Sequence, residues 1–163
     1  MSMAGPKRED SVELQSHSPA QFGFRLVHVG VAVGELDPAV RMLESLFGYE
    51  VTSGPFDDPI QKVTVNFLKQ QTGDASEIEL IAPLTEDSPI RSILAKGSAA
   101  AYHLCFETTD LDGALAYVKS KGCIIVSAPA PAVAFGGRRI AWFYTPTRQL
   151  FELVETGNSA DSR

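Results

Sequence analysis

The chain reads twice. Leu26-Val27-His28-Val29-Gly30-Val31-Ala32-Val33 lies over Ala101-Tyr102-His103-Leu104-Cys105-Phe106-Glu107-Thr108 with the two histidines 75 residues apart. At the same offset Leu36-Asp37 meets Leu111-Asp112, Ala39-Val40 meets Ala114-Leu115, and Ser45 meets Ser120. Ile78-Glu79-Leu80 stands opposite Phe151-Glu152-Leu153 at an offset of 73, a drift that one or two loop residues explain. An ordered run of matches through several elements points to a duplicated module of about 60–75 residues.

Within each copy the hydrophobic period changes as it does between strands and helices. Leu26 to Val33 is rich in β-branched residues and reads as a strand, whereas Val40, Leu43 and Leu46 recur at helical spacing behind Asp37, placed as an N-cap. Val63-Thr64-Val65-Asn66-Phe67 and Glu77-Ile78-Glu79-Leu80 alternate apolar and polar, as half-buried strands do. The order is strand, helix, then about three strands, and it repeats. Between the copies, Ser88-Pro89 followed by Ile90, Ile93 and Leu94 predicts a linker helix within 84–99. The expected organisation is one domain over 21–156, with modules at 24–83 and 100–155 and frayed polar tails at 1–20 and 157–163.

Composition limits what such a domain does. At 163 residues, 44% hydrophobic and 21% charged, the chain has the apolar material for one globular core. Its net charge of −6 and the absence of a basic block argue against nucleic acid as a partner. Cys105 and Cys123 lie in apolar runs and read as buried thiols. No run approaches the ~18 apolar residues that span a bilayer. Met1 to Gln15 lacks the apolar stretch of a secretory signal and carries Glu9, Asp10 and Glu13, so a cytoplasmic location is expected.

The chemistry lies in the residues that interrupt the apolar strands. Alternation puts His28, Gly30 and Ala32 on one face and the branched Val29, Val31 and Val33 on the other, which suits packing on a helix. His103 and Cys105 share a face in the second copy, and Glu79 and Glu152 are each flanked by apolar neighbours. A lone histidine or glutamate in a strand is usually structural or solvated. Their recurrence at matched places is another matter, because burying unpaired carboxylates twice has no structural advantage. Copies packed with approximate twofold symmetry bring His28, Glu79, His103 and Glu152 together, a mixed nitrogen and oxygen set suited to Co²⁺, Ni²⁺, Mn²⁺, Fe²⁺ or Zn²⁺.

With these four residues in paired modules, residues 24–155 resemble the vicinal oxygen chelate superfamily. Glu77 to Leu84, Asp87-Ser88-Pro89-Ile90, His103 to Glu107 with Asp110-Leu111-Asp112, and Gly136-Gly137-Arg138-Arg139-Ile140 are similar to the methylmalonyl-CoA epimerases of that group. The resemblance implies an α+β fold in which two tandem βαβββ modules form a cupped mixed sheet around a metal site, and frequently a homodimer. Two places depart from the pattern. Tyr102 stands where a histidine is common, and alternation places it opposite the face of His103; Thr145-Pro146 replaces a His-Pro. The carboxylate that some such epimerases carry on the strand before Glu79 falls at Lys62, next to Gln61. Lys62, Thr64 and Asn66 share the non-apolar face of that strand. That face directs Lys62 towards the site as an acid or base, although a solvated lysine is the plainer reading.

The implied reaction is proton abstraction next to a carbonyl, with an acyl-CoA or similar thioester as substrate and Glu152 able to act as base. Gln61, Thr64 and Asn66 are candidate substrate contacts, and Arg138 and Arg139 are candidates for a phosphate or carboxylate, unless they merely flank a hairpin turn. Two rivals share the architecture: a glyoxalase I-like lyase acting on a glutathione hemithioacetal, and a non-catalytic protein that sequesters an antibiotic.

Overall fold

The computed structural model describes residues 18–71, 76–96 and 100–157. Most of the two expected tails, 1–17 and 158–163, lies outside the described residues, as does 97–99 of the linker. In the first copy the elements are β1 (Arg25–Ala32), α1 (Leu36–Phe47), β2 (Tyr49–Asp58), β3 (Val63–Gln70) and β4 (Glu77–Pro83). After α2 (Ile90–Leu94) the second copy gives β5 (Ala100–Thr108), α3 (Leu111–Ser120), β6 (Ile124–Ile125), β7 (Ala130–Pro131), β8 (Arg139–Tyr144) and β9 (Leu150–Glu155). The counterpart of β2 is thus broken into two short pieces. Pro129 and Pro131 supply the reason, since neither has an N–H to give to a ladder.

All the strands join one mixed sheet in the order β2-β3-β4-β1-β5-β9-β8-β6, with β7 beside β8. The centre is the antiparallel pair β1–β5, flanked by the parallel pairs β1–β4 and β5–β9. Antiparallel pairs β3–β4 and β8–β9 continue outward on either side. That order is the same read from either end, so β1, β3 and β4 correspond to β5, β8 and β9 across a pseudo-twofold axis through the central pair.

One face of the sheet packs on the long helices. Val33, Leu68, Leu80 and Ala82 pack with Leu36, Val40 and Leu43 of α1, while Phe143 and Leu153 pack with Leu111, Ala114, Leu115 and Val118 of α3. Burial of these side chains stabilises each copy by roughly 1.5–3 kcal/mol per fully buried aliphatic or aromatic group. The opposite face is closed by α2 and by a 3-10 turn at Val133–Phe135, which packs on Ala32, Val65, Phe67 and Ile81 through Phe135. This turn belongs to the second copy yet touches β2 of the first, so the sheet curls until its two halves meet over the inner face.

Local details differ from expectation in three places. Helix α1 starts at Leu36 with Glu35 at the cap position, so Asp37 sits inside the first turn, where its charge complements the helix dipole instead of capping a backbone N–H. In α3 the side chain of Asp110 does cap, accepting from Gly113 N at 2.9 Å. The linker is helical only over Ile90–Leu94, and Pro19 and Ala20, expected in the tail, open a 3-10 turn over Pro19–Phe22 that buries Phe22 against α3. No helix among the described residues is long and apolar enough to cross a membrane.

Candidate metal centre

The four central strands each contribute one polar side chain to the inner face. In the ladder, Gly30 lies between Glu79 on β4 and His103 on β5, and Cys105 lies between His28 on β1 and Glu152 on β9. Gly30 and Cys105 are themselves 75 residues apart, so both copies place a small residue between two ligating ones. At Gly30 the requirement is strict, because an added Cβ would collide with the His103 imidazole ring.

The donor atoms converge. His28 Nε2 and His103 Nε2 are 2.9 Å apart, and Glu79 Oε2 is 3.2 Å from the first and 3.4 Å from the second. Glu152 Oε2 is 3.4 Å from both imidazole nitrogens, and one donor atom from each of the four residues falls within 4.8 Å of all the others. An ion about 2.0–2.2 Å from each donor places neighbouring donors on the order of 3 Å apart, so the cluster has the dimensions of a coordination shell. All four residues are buried. Two carboxylates and two neutral imidazoles carry −2, which a divalent cation balances. Without such a charge the group would be costly to bury. Burial pulls the His28 imidazolium down, but the Glu152 and Glu79 carboxylates beside it outweigh that and hold its pKa up at about 9. Burial likewise pushes the Glu152 carboxyl up, and the His103 and His28 imidazoles beside it overcome this and bring it down to about 2.

Aromatic side chains wall the cluster in. Phe67 meets His28 edge-on at 5.5 Å and Trp142 meets His103 edge-on at 4.7 Å, and these two residues are again 75 apart. Phe135 stacks over His28 at 5.9 Å from the closing turn. The repeat that revealed the ligands also pairs Phe67 with Trp142, a signal the sequence reading left unused. Beside the cluster lies a cavity of about 50 Å³ whose walls include Asp58, Gln61, Val65, Tyr102, Phe135 and Ile140 together with Glu79, His103 and Glu152.

Several expected contacts are corrected. On β3 the inner face is the apolar one: Val63 and Val65 line the cavity and Phe67 touches His28, so Thr64 and Asn66 point the other way. Thr64 bonds to Asp57 Oδ1 at 2.7 Å. Alternation correctly separates the two faces of this strand but does not say which is inside, and a cavity walled with apolar side chains reverses the assignment. Lys62 lies in the turn before β3, with its side chain 43% exposed and its Nζ paired with Asp87, outside the cavity wall; Gln61 beside it does line the cavity. Arg139 is held by the chain's own carboxylates, Glu155 at 2.6 and 3.0 Å and Asp112 at 3.1 Å. Arg138 donates to the carbonyls of Phe135 and Glu155 and lies over the Phe135 ring. Tyr102 is also displaced: Gly30 pairs with His103 but Val31 pairs with Ala101, so Tyr102 is the extra residue of a bulge that turns it onto the same side as His103. Burial, with the nearby Tyr144, Glu152 and Glu79, pushes its phenol up to about 12. Cys105, deep in the sheet, is pushed well above the usual thiol range by burial and is a filler, not a nucleophile.

Comparison with known proteins gives a consistent result. The profile of the glyoxalase/bleomycin resistance protein/dioxygenase superfamily matches residues 27–142. An ethylmalonyl-CoA/methylmalonyl-CoA epimerase from Cereibacter sphaeroides is 33% identical over 121 residues, 74% of this chain and 87% of that protein. The crystal structure of methylmalonyl-CoA epimerase from Mycobacterium tuberculosis superposes with a TM-score of 0.75 at 26% identity, covering 91% of this chain and 98% of that one. A Streptomyces coelicolor methylmalonyl-CoA epimerase variant in complex with 2-nitronate-propionyl-CoA superposes with a TM-score of 0.70 at 29% identity, covering 82% of this chain and 98% of that one.

Proposed function

The chain belongs to the glyoxalase/bleomycin resistance protein/dioxygenase superfamily, and from that premise we propose that it is a metal-dependent epimerase of an acyl-CoA, of the methylmalonyl-CoA type. The observation that carries this reading is the convergence of four donor atoms, one from each central strand, next to a partly open cavity. His28, His103, Glu79 and Glu152 would hold the ion. When bound, a divalent cation supplies a Lewis acid that stabilises negative charge developing on a substrate carbonyl oxygen.

The protein's own groups do the rest. The Glu152 carboxylate, on the cavity wall, accepts the proton from the carbon next to the thioester carbonyl. Phe67, Phe135 and Trp142 exclude water around it, which strengthens every electrostatic interaction inside. Gln61, which also lines the cavity, offers an amide to the substrate. A homodimer is part of the reading, supported by the exposed Met42, Leu46 and Phe47 of α1 beside Val51, an apolar strip that a second copy would cover.

The test is solvent deuterium exchange at the α-carbon of methylmalonyl-CoA with and without added Co²⁺, run beside turnover of a glutathione hemithioacetal. Metal-dependent exchange into the CoA ester is the expected result. Turnover of the hemithioacetal alone would make the chain a lyase, and tight binding of a small molecule without turnover would make it a sequestering protein.

A further inference from the structure

Inverting a carbon centre requires one group to remove a proton from one face and another to return a proton to the opposite face. Glu152 fills one role, and Lys62, turned out to Asp87, does not fill the other. The cavity wall holds one carboxylate outside the four-residue cluster, that of Asp58. It sits at the end of β2 and pairs with Val63, which puts it on the inner face, and it is only 3% exposed. Its Oδ1 accepts from the backbone N–H groups of Ile60 and Gln61, both at 2.9 Å. Its Oδ2 has no hydrogen-bond partner among the described residues. The turn uses one oxygen of this carboxylate, which leaves the other available to a group bound in the cavity that Asp58 lines.

Position matters as much as chemistry. In sheet order, Asp58 on β2 and Glu152 on β9 stand on opposite sides of the strands bearing Glu79, His28 and His103. The curl of the sheet brings both onto the wall of one cavity. The other polar groups of that wall beyond the cluster, the Gln61 amide, the Tyr102 phenol and the Trp142 indole, do not both give and take a proton readily near neutral pH.

We infer that Asp58 is the second proton-transfer residue of the epimerisation, working on the face of the substrate carbon opposite Glu152; the inference rests on the epimerase reading above. Starting from the epimer whose α-hydrogen faces Glu152, the C–H bond breaks, its proton passes to Glu152, and its electron pair moves into the bond to the thioester carbonyl, whose π electrons shift to oxygen. As the pair returns, the Asp58 carboxyl delivers a proton from the other face, its O–H bond breaking as the new C–H bond forms. The enzyme is left with Glu152 protonated and Asp58 ionised, the form that accepts the opposite epimer, and exchange with water resets it.

The test uses the metal-loaded full chain with each epimer of methylmalonyl-CoA in D₂O. Asp58→Asn keeps an oxygen that accepts from Ile60 and Gln61 but has no carboxyl group. Because an amide, unlike a carboxyl, neither gives nor takes a proton readily near neutral pH, the variant is expected to invert the substrate at least about 100-fold more slowly, while still washing deuterium into one epimer without inversion and binding as much metal as the wild type by elemental analysis. Should that variant not fold, Asp58→Ser, whose hydroxyl also accepts in such turns, is held to the same outcomes. Inversion within a few-fold of the wild-type rate would overturn the assignment, and so would loss of wash-in and inversion together. A wild-type protein that neither exchanges nor inverts defeats the functional reading itself, and with it the assignment; the control tells the two failures apart.

Discussion

Gly30 leaves empty the volume that the His103 ring occupies, so the smallest residue in β1 decides where a ligand on the neighbouring strand can point. Gly30→Ala is expected to fold and to push the imidazole away from His28, weakening divalent metal binding on the order of 10–100-fold, as disturbed support around a ligand does; calorimetric titration of Co²⁺ checks it, and unchanged affinity would show that the ring is free to move. At this scale the convergence of His28, Glu79, His103 and Glu152 was legible because each is a polar residue on an apolar strand and recurs in the second copy. Lys62, Thr64 and Asn66 were misplaced because a period of two divides a strand's faces without naming the inner one. Tyr102 was misplaced by a one-residue bulge, which leaves no trace in a single sequence. Asp58 was overlooked because Asp57-Asp58-Pro59 reads as turn chemistry, and it is that as well.

Among the elements, β8, β9 and α3 are tied by Arg139, which reaches Glu155 and Asp112 from the start of β8. The guanidinium holds the Glu155 carboxyl below its ordinary value of 4.5. A carboxyl whose folded pKa is depressed stabilises the fold above its unfolded pKa and loses that contribution as pH falls through the folded one. The difference in melting temperature between wild type and Arg139→Met is therefore expected to be largest near neutrality and to shrink as pH falls below the ordinary carboxyl value of 4.5. A difference that stays constant across that range would assign the residue a packing role alone. The strand-helix-strand order was readable because period and β-branching agree with what forms. The split of β6 from β7 was not anticipated, although Pro129 and Pro131 carry the signal, and neither was the short extent of α2, which apolar spacing alone overstates.

For the whole molecule, duplication explains more than the fold. Ligands, the small residues between them and the aromatic walls all come in pairs across the β1–β5 axis, and the site exists only where the two copies meet. A buried set of two carboxylates and two imidazoles should make stability respond to metal: about 100 times the Kd of free Co²⁺ adds about 2.7 kcal/mol. For a chain of this size that corresponds to a rise in Tm of roughly 5–10 °C, readable by calorimetry on apo and loaded protein. The most direct measurement is the metal content of the chain purified without chelator, by elemental analysis, for the wild type and for His28→Ala. One divalent ion per chain in the wild type and none in the folded variant is the predicted result. No ion at any loading, or an ion retained in full by the variant, would contradict the account.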